Sequence, residues 1–201
     1  MFETFVRPED LQRFKNRCNA EFLQDLEFES QQVESRVAAK TQTARSKDKI
    51  PSEKIWMGVY FHEEMEQKFH PKISIEWIND EVGFGVIAQQ RIPTCSFVGE
   101  YTGIIQEKRK QEVEGNDYCV RYPTWSWGLK KYVINARDKG HFTRFINHSD
   151  QPNLGLQSIY WRGMPRMVLI SLKDIEKGEQ LTFDYGETFW KQSKKKPIPL
   201  K

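Results

Sequence analysis

The sequence predicts a mostly β domain of several small sheets, preceded by an α-helical N-terminal region. Three observations carry this. Apolar residues recur at spacings of three and four only in the first third of the chain. From Ile73 onward, short runs rich in Val, Ile, Phe and Tyr alternate with Gly, Asn and Pro. Strands this short imply several small sheets rather than one large one.

Residues 8–40 read as helix: Leu11, Phe14, Cys18, Phe22 and Leu26 form an apolar stripe, extended weakly by Val33 and Val37. Pro8, Glu9 and Asp10 suit a helix start. The stripe packs on the rest of the chain or on a second copy, so a homodimer is one expectation. Residues 40–52 are polar and end near Pro51, the pattern of a linker. A second helix is expected over 53–67, and a third over 106–113. The expected organisation is therefore 1–71 helical with its linker, 72–190 the catalytic domain, and 191–201 a basic tail.

The 201 residues allow one catalytic domain plus a smaller appendage. The charged fraction of 29% argues for a soluble protein, and apolar runs such as 167–170 are too short to span a bilayer. No basic stretch followed by an apolar one opens the chain, so no classical secretory signal is expected. Cys18, Cys95 and Cys119 are odd in number and far apart, and His62, His70, His141 and His148 show no ligand spacing. Neither disulfides nor a metal site is expected. Residues 1–71 carry a net charge of −2, 72–186 of +1 and 187–201 of +4. The tail is thus the basic element, either a solvated end or a nucleic-acid contact or nuclear address.

Five segments of the second part offer chemistry. Val82-Gly83-Phe84-Gly85 lets a backbone approach a ligand beside an aromatic ring, although an ordinary hairpin turn would look the same. Tyr101 (in Gly99-Glu100-Tyr101-Thr102-Gly103) and Tyr118 (in Asp117-Tyr118-Cys119-Val120), read separately, are core tyrosines. Arg144-Phe145-Ile146-Asn147-His148-Ser149-Asp150 packs many donors and acceptors into one stretch. The fifth, 178–190, ends a strand with Phe183, Asp184 and Tyr185, followed by Phe189 and Trp190.

In this order the five segments resemble the SET-domain family of protein lysine methyltransferases over roughly residues 74–190. The overall layout is most similar to the small chlamydial SET proteins, secreted effectors thought to act on host histones or bacterial histone-like proteins. The resemblance implies a SET fold with a C-terminal pseudoknot and S-adenosylmethionine as cofactor. It implies that Val82, Gly83, Phe84, Gly85, Tyr118, Arg144, Asn147, His148, Phe189 and Trp190 bind that cofactor. Tyr185 and Tyr101 would be catalytic, with Phe183 and Tyr101 shaping the lysine channel. Phe rather than Tyr at 183 implies methylation beyond one methyl. Asp150 stands where many members have a zinc-binding Cys. Histone or histone-like tails are the implied substrate, met in a host nucleus or in a bacterial nucleoid. The alternative is a catalytically silent SET module that binds protein or nucleic acid.

Lys40-Thr41-Gln42-Thr43-Ala44-Arg45-Ser46-Lys47 contains Gln-Thr-Ala-Arg, a stretch also present in a core-histone tail. Lys40 and Lys47 are therefore candidate automethylation sites or substrate mimics. Coincidence in a polar helix end is the plainer reading.

Overall fold

The computed structural model describes residue 16 and residues 19–109, 115–126, 130–187, 189 and 190. It begins with β1 (Glu21–Phe22) and β2 (Glu27–Phe28), where the apolar stripe predicts helix. Leu11, Phe14 and Cys18 lie outside the described residues, but Phe22 and Leu26 are not helical. Asn19, with φ 47°, lies in the left-handed region just before β1. β1 then pairs in parallel with β9 (Lys139–Gly140), and β2 with β6 (Ile104–Glu107). Tertiary pairing thus overrides a local helical period.

Helix α1 (Gln31–Ser46) starts where Ser30 accepts the Val33 N–H at 3.3 Å. Val33, Val37, Thr41 and Ala44 line its buried face. Because Thr41 and Ala44 are fully buried, the helix continues through most of the predicted linker, leaving only 47–51 between helices. Helices α2 (Ser52–Tyr60) and α3 (His62–Glu66) fill the predicted 53–67 segment, with a break at Phe61. The helix expected over 106–113 is corrected: Gln106 and Glu107 belong to β6, and 110–114 lie outside the described residues.

The rest is small sheets, as the short apolar runs require. β3 (Ile73–Asn79) and β4 (Gly83–Ala88) form a hairpin. A four-stranded sheet runs β2-β6-β8-β7, with β7 at Cys119–Tyr122 and β8 at Tyr132–Asn135. A five-stranded sheet runs β10-β13-β11-β12-β5. Its members are β5 (Phe97–Glu100), β10 (Asn147–His148), β11 (Leu154–Trp161), β12 (Met164–Ser171) and β13 (Thr182–Phe183).

The position of β13 makes the knot-like crossing. It lies parallel to both β10 and β11, between them. Residues 149–153 must therefore cross over it, a span of about 10 Å at ordinary strand spacing. The crossing is fastened by hydrogen bonds: Asn153 Nδ2 donates to Gln180 O at 2.9 Å and Asn153 Oδ1 accepts from Thr182 N at 2.8 Å. Ser149 N donates to Phe183 O. Residues far apart in sequence thereby become neighbours.

α2 lies directly on β11. A Cβ on Gly58 would overlap the Tyr160 carbonyl oxygen, which is backbone and cannot rotate away. Gly58→Ala is therefore expected to cost about 2–3 kcal/mol by forcing the helix outward. Urea denaturation measures it; an unchanged midpoint would mean that the helix sits farther from the sheet. Among the described residues, no helix is long and apolar enough to cross a membrane.

Candidate active site

A cavity of about 700 Å³ opens between the two larger sheets. Tyr101, Arg144, Phe183, Tyr185 and Phe189 line it. Tyr101 immediately follows β5 and Tyr185 follows β13, so the knot-like crossing brings the two together. Each hydroxyl donates to a main-chain carbonyl, Tyr185 to Ile146 O at 3.0 Å and Tyr101 to Tyr118 O at 3.2 Å. Burial pushes both phenol pKa values well above the usual tyrosine range, and for Tyr101 the neighbouring Tyr185 adds to it. Both side chains therefore stay phenols and donate hydrogen bonds; neither can serve as a base near neutral pH.

The 3₁₀ turn Phe142–Phe145 delivers Arg144 to the wall. Its Nε donates to Ala136 O at 2.6 Å and Nη2 to Arg137 O at 2.8 Å. The guanidinium lies 3.9 Å from the centre of the Tyr118 ring and 4.6 Å from that of Phe145. Tyr118 is thus held flat against Arg144.

β10 carries the next two residues. Asn147 Nδ2 donates to Phe84 O at 3.0 Å, tying the β3–β4 hairpin to the knot. His148 Nδ1 accepts the Tyr185 N–H at 3.2 Å. In the neutral ring, the proton then sits on Nε2, 3.1 Å from the Asp150 carboxylate. Asp150 thus holds the far side of the His148 ring. Trp190 packs edge-on against His148 at 4.7 Å, and Phe189 against Tyr185 at 4.6 Å.

The two glycines of the hairpin differ. Gly83 has φ 77° and open space where a Cβ would be. Gly85 is packed by the chain itself, its would-be Cβ lying 2.6 Å from Gln180 Nε2 and 2.8 Å from Ile78. Of the two, only Gly83 offers room for a ligand. Val82 and Phe84 are half-buried beside it, and Phe84 meets Phe145 at 5.8 Å.

Of the predicted residues, Tyr101, Arg144, Phe183, Tyr185 and Phe189 line the cavity. Tyr118, Phe84, Asn147, His148 and Trp190 lie behind them, joined by the contacts above, and Val82, Gly83 and Gly85 belong to the hairpin outside the lining. Lys40 and Lys47 stand apart. Lys40 donates to Lys130 O at 3.0 Å from α1, Lys47 is the exposed C-cap, and neither lines the cavity. Ile146 O and Tyr118 O, which anchor the tyrosines, have no sequence signal, because any residue brings a carbonyl. Asp117, Asp184, Leu156 and Met167 also line the cavity; only the fold reveals them.

Comparison with known proteins is consistent with this arrangement. The family model described as SET domain matches residues 83–186. Histone-lysine N-methyltransferase EHMT1 of Homo sapiens is 37% identical over 114 residues, covering 55% of this chain and 9% of that protein. Histone-lysine N-methyltransferase SUV39H2 of Xenopus tropicalis is 34% identical over 111 residues, covering 51% and 27%. The chain thus spans less than a third of either relative. A solved structure of an apo PRC2 complex carrying two substitutions in Ezh2 aligns with TM-score 0.51 at 22% identity, covering 61% of this chain and 16% of that one. At that identity the likeness speaks for the fold.

Proposed function

The chain belongs to the SET domain family, and from that premise we propose that it is an S-adenosylmethionine-dependent protein-lysine N-methyltransferase acting on histone or histone-like tails. The observation that carries this is the pair of buried tyrosine hydroxyls, Tyr101 and Tyr185, each fixed on a main-chain carbonyl inside one cavity.

The residues present suit the cofactor. Gly83 leaves backbone room beside Phe84, and Phe189, packed edge-to-face with Trp190, brings an aromatic ring to the cavity that suits a planar base. The Asn147–Phe84 bond holds the hairpin against the knot. When bound, S-adenosylmethionine supplies a methyl group on a positively charged sulfur, open to in-line attack by an amine. Tyr101, Phe183, Leu156 and Met167 form a largely apolar wall, which favours the neutral form of an entering lysine. Tyr101 and Tyr185, held as phenols, orient the amine by hydrogen bonding rather than by taking its proton.

A polypeptide substrate suits the cavity rim. β7 is the outer strand of its sheet, and β11 pairs with β13 only at Leu154. Cys119, Val120 and Arg121 of β7 line the cavity, as do Leu156, Gln157 and Ser158 of β11. An extended segment laid between the two edges would place one side chain into the cavity.

Phe183 carries no hydroxyl to hold a water near the amine, so methylation beyond the first methyl is expected. Mass spectrometry of a histone substrate with excess enzyme should show di- or trimethyl-lysine, and Phe183→Tyr should shift the product toward monomethyl by about tenfold. Monomethyl product alone from the unmodified chain would refute the product reading. Absence of both cofactor binding and transfer would refute the proposed activity. By the same reading, host histones and bacterial histone-like proteins are the substrates to try first.

A further inference from the structure

We propose that one face of the four-stranded sheet selects substrates in which an acidic residue lies near the target lysine. The proposal rests on the methyltransferase reading above and narrows it. Lys108, Arg121 and Lys131 all line the cavity. The register puts them on one face. Arg121 and Gln106 both lie opposite Val133, across the β7–β8 and β6–β8 ladders. Directly opposed residues share a face, and so do residues two apart along a strand. Lys131 and Lys108, two positions from Val133 and Gln106, continue that face, and Lys108 N donates to Lys131 O at 2.8 Å.

The nearest strand carboxylate does not neutralise them. Glu107 points to the opposite face, where it meets Lys130 at 2.8 Å and Arg36 at 3.9 Å. Among the described residues, no ion pair joins Lys108, Arg121 or Lys131 to a carboxylate. The carboxylates that line the cavity, Asp117 and Asp184, belong to its other end. Asp117 acts electrostatically on Tyr185, and Asp184 lies 3.6 Å from His148 Nδ1. The cavity is therefore polarised, with aspartates toward Tyr185 and His148 at one end and, among the described residues, cations without a carboxylate partner along the sheet. A substrate segment along β7 meets Arg121 on that edge strand, with Lys131 one strand in and Lys108 beyond it on the same face. A tail with unbroken basic flanks meets like charge there, and one bearing Asp or Glu meets opposite charge.

The test uses the full chain with S-adenosylmethionine and three peptide sets sharing one central lysine. The flanking positions are scanned with Ala, with Glu or with Lys. At low salt, Glu at the favoured position should lower KM about fivefold against Ala, as expected for partly exposed ion pairs, with kcat nearly unchanged. The preference should fade as salt is raised. Arg121→Glu and Lys131→Glu should each invert it toward Lys-flanked peptides, and Lys131→Gln should weaken it. Methyl transfer blind to flanking charge, or a preference that survives charge reversal, would sink this proposal alone. No transfer to any peptide would sink the parent reading and this one with it. Duplex DNA that competes with peptide through these same three residues would assign the face to nucleic acid, and so would also overturn it.

Discussion

Tyr185→Phe is expected to lower kcat for lysine methylation by about 10²-fold or more, with little change in KM. The substitution removes one oxygen atom. That hydroxyl is held by Ile146 O at 3.0 Å and sits in a cavity where burial keeps it protonated. Its donor direction is set before substrate arrives, so the loss falls on orientation of the amine in the transition state. Stability should fall by only about 1 kcal/mol, the ordinary worth of one hydrogen bond. The ring contacts with Phe183, Phe189 and Trp190 do not involve the hydroxyl, so Phe should keep them. A labelled-methyl assay on histones and on a bacterial lysate, alongside a melting curve, separates the two effects. Full activity in a folded Tyr185→Phe variant would contradict the proposed chemistry, whereas a collapsed melting curve would mean that the hydroxyl serves the fold.

Much of this site could be read from sequence, because its parts are local motifs with unusual side chains. The run 144–150 and the aromatics around 185 carry their chemistry on their face. Their meeting could not be derived from periodicity, since it depends on β13 lying between β10 and β11. The fold class was legible for a similar reason: short apolar runs cut by turn residues are the pattern of several small sheets, although β11 and β12 run to eight residues each. The N-terminal region was legible only in part. Val33 and Val37 do mark a helix, yet the equally regular Phe22 and Leu26 lie in an extended segment. That segment borrows its hydrogen bonds from strands more than seventy residues away, which a local pattern cannot report. The stretch 40–46 misled in the opposite sense. Its polar residues face solvent, while the helix is decided by the burial of Thr41 and Ala44.

The second large effect is expected behind the site, at Arg166. Glu100, which immediately precedes Tyr101, is 7% exposed and is hydrogen-bonded to Arg166 Nη1 at 3.1 Å. Asp25 and Lys68 are the other charges that act on it. Burial raises the Glu100 pKa above the usual carboxylate value even though Arg166 pulls it down. Arg166→Met should therefore strand a buried carboxylate and cost about 3–5 kcal/mol at neutral pH. The sign of the pH dependence follows. A carboxyl whose folded pKa is raised contributes most below its unfolded pKa, and that contribution is lost as pH rises through the folded value. Without Arg166 the folded value climbs further, so the variant's deficit should be smallest near pH 5 and grow toward pH 8. Glu100→Gln added to Arg166→Met removes the stranded charge and should recover part of the loss. Urea denaturation of the single and double variants at both pH values measures this. A deficit independent of pH, or a double variant no more stable than the single, would show that Arg166 acts through its packing over Trp161 instead. Activity should follow stability here. The Glu100 carbonyl accepts from Thr143 Oγ1 at 3.1 Å, so loosening this pair frees both Tyr101 and the turn that presents Arg144.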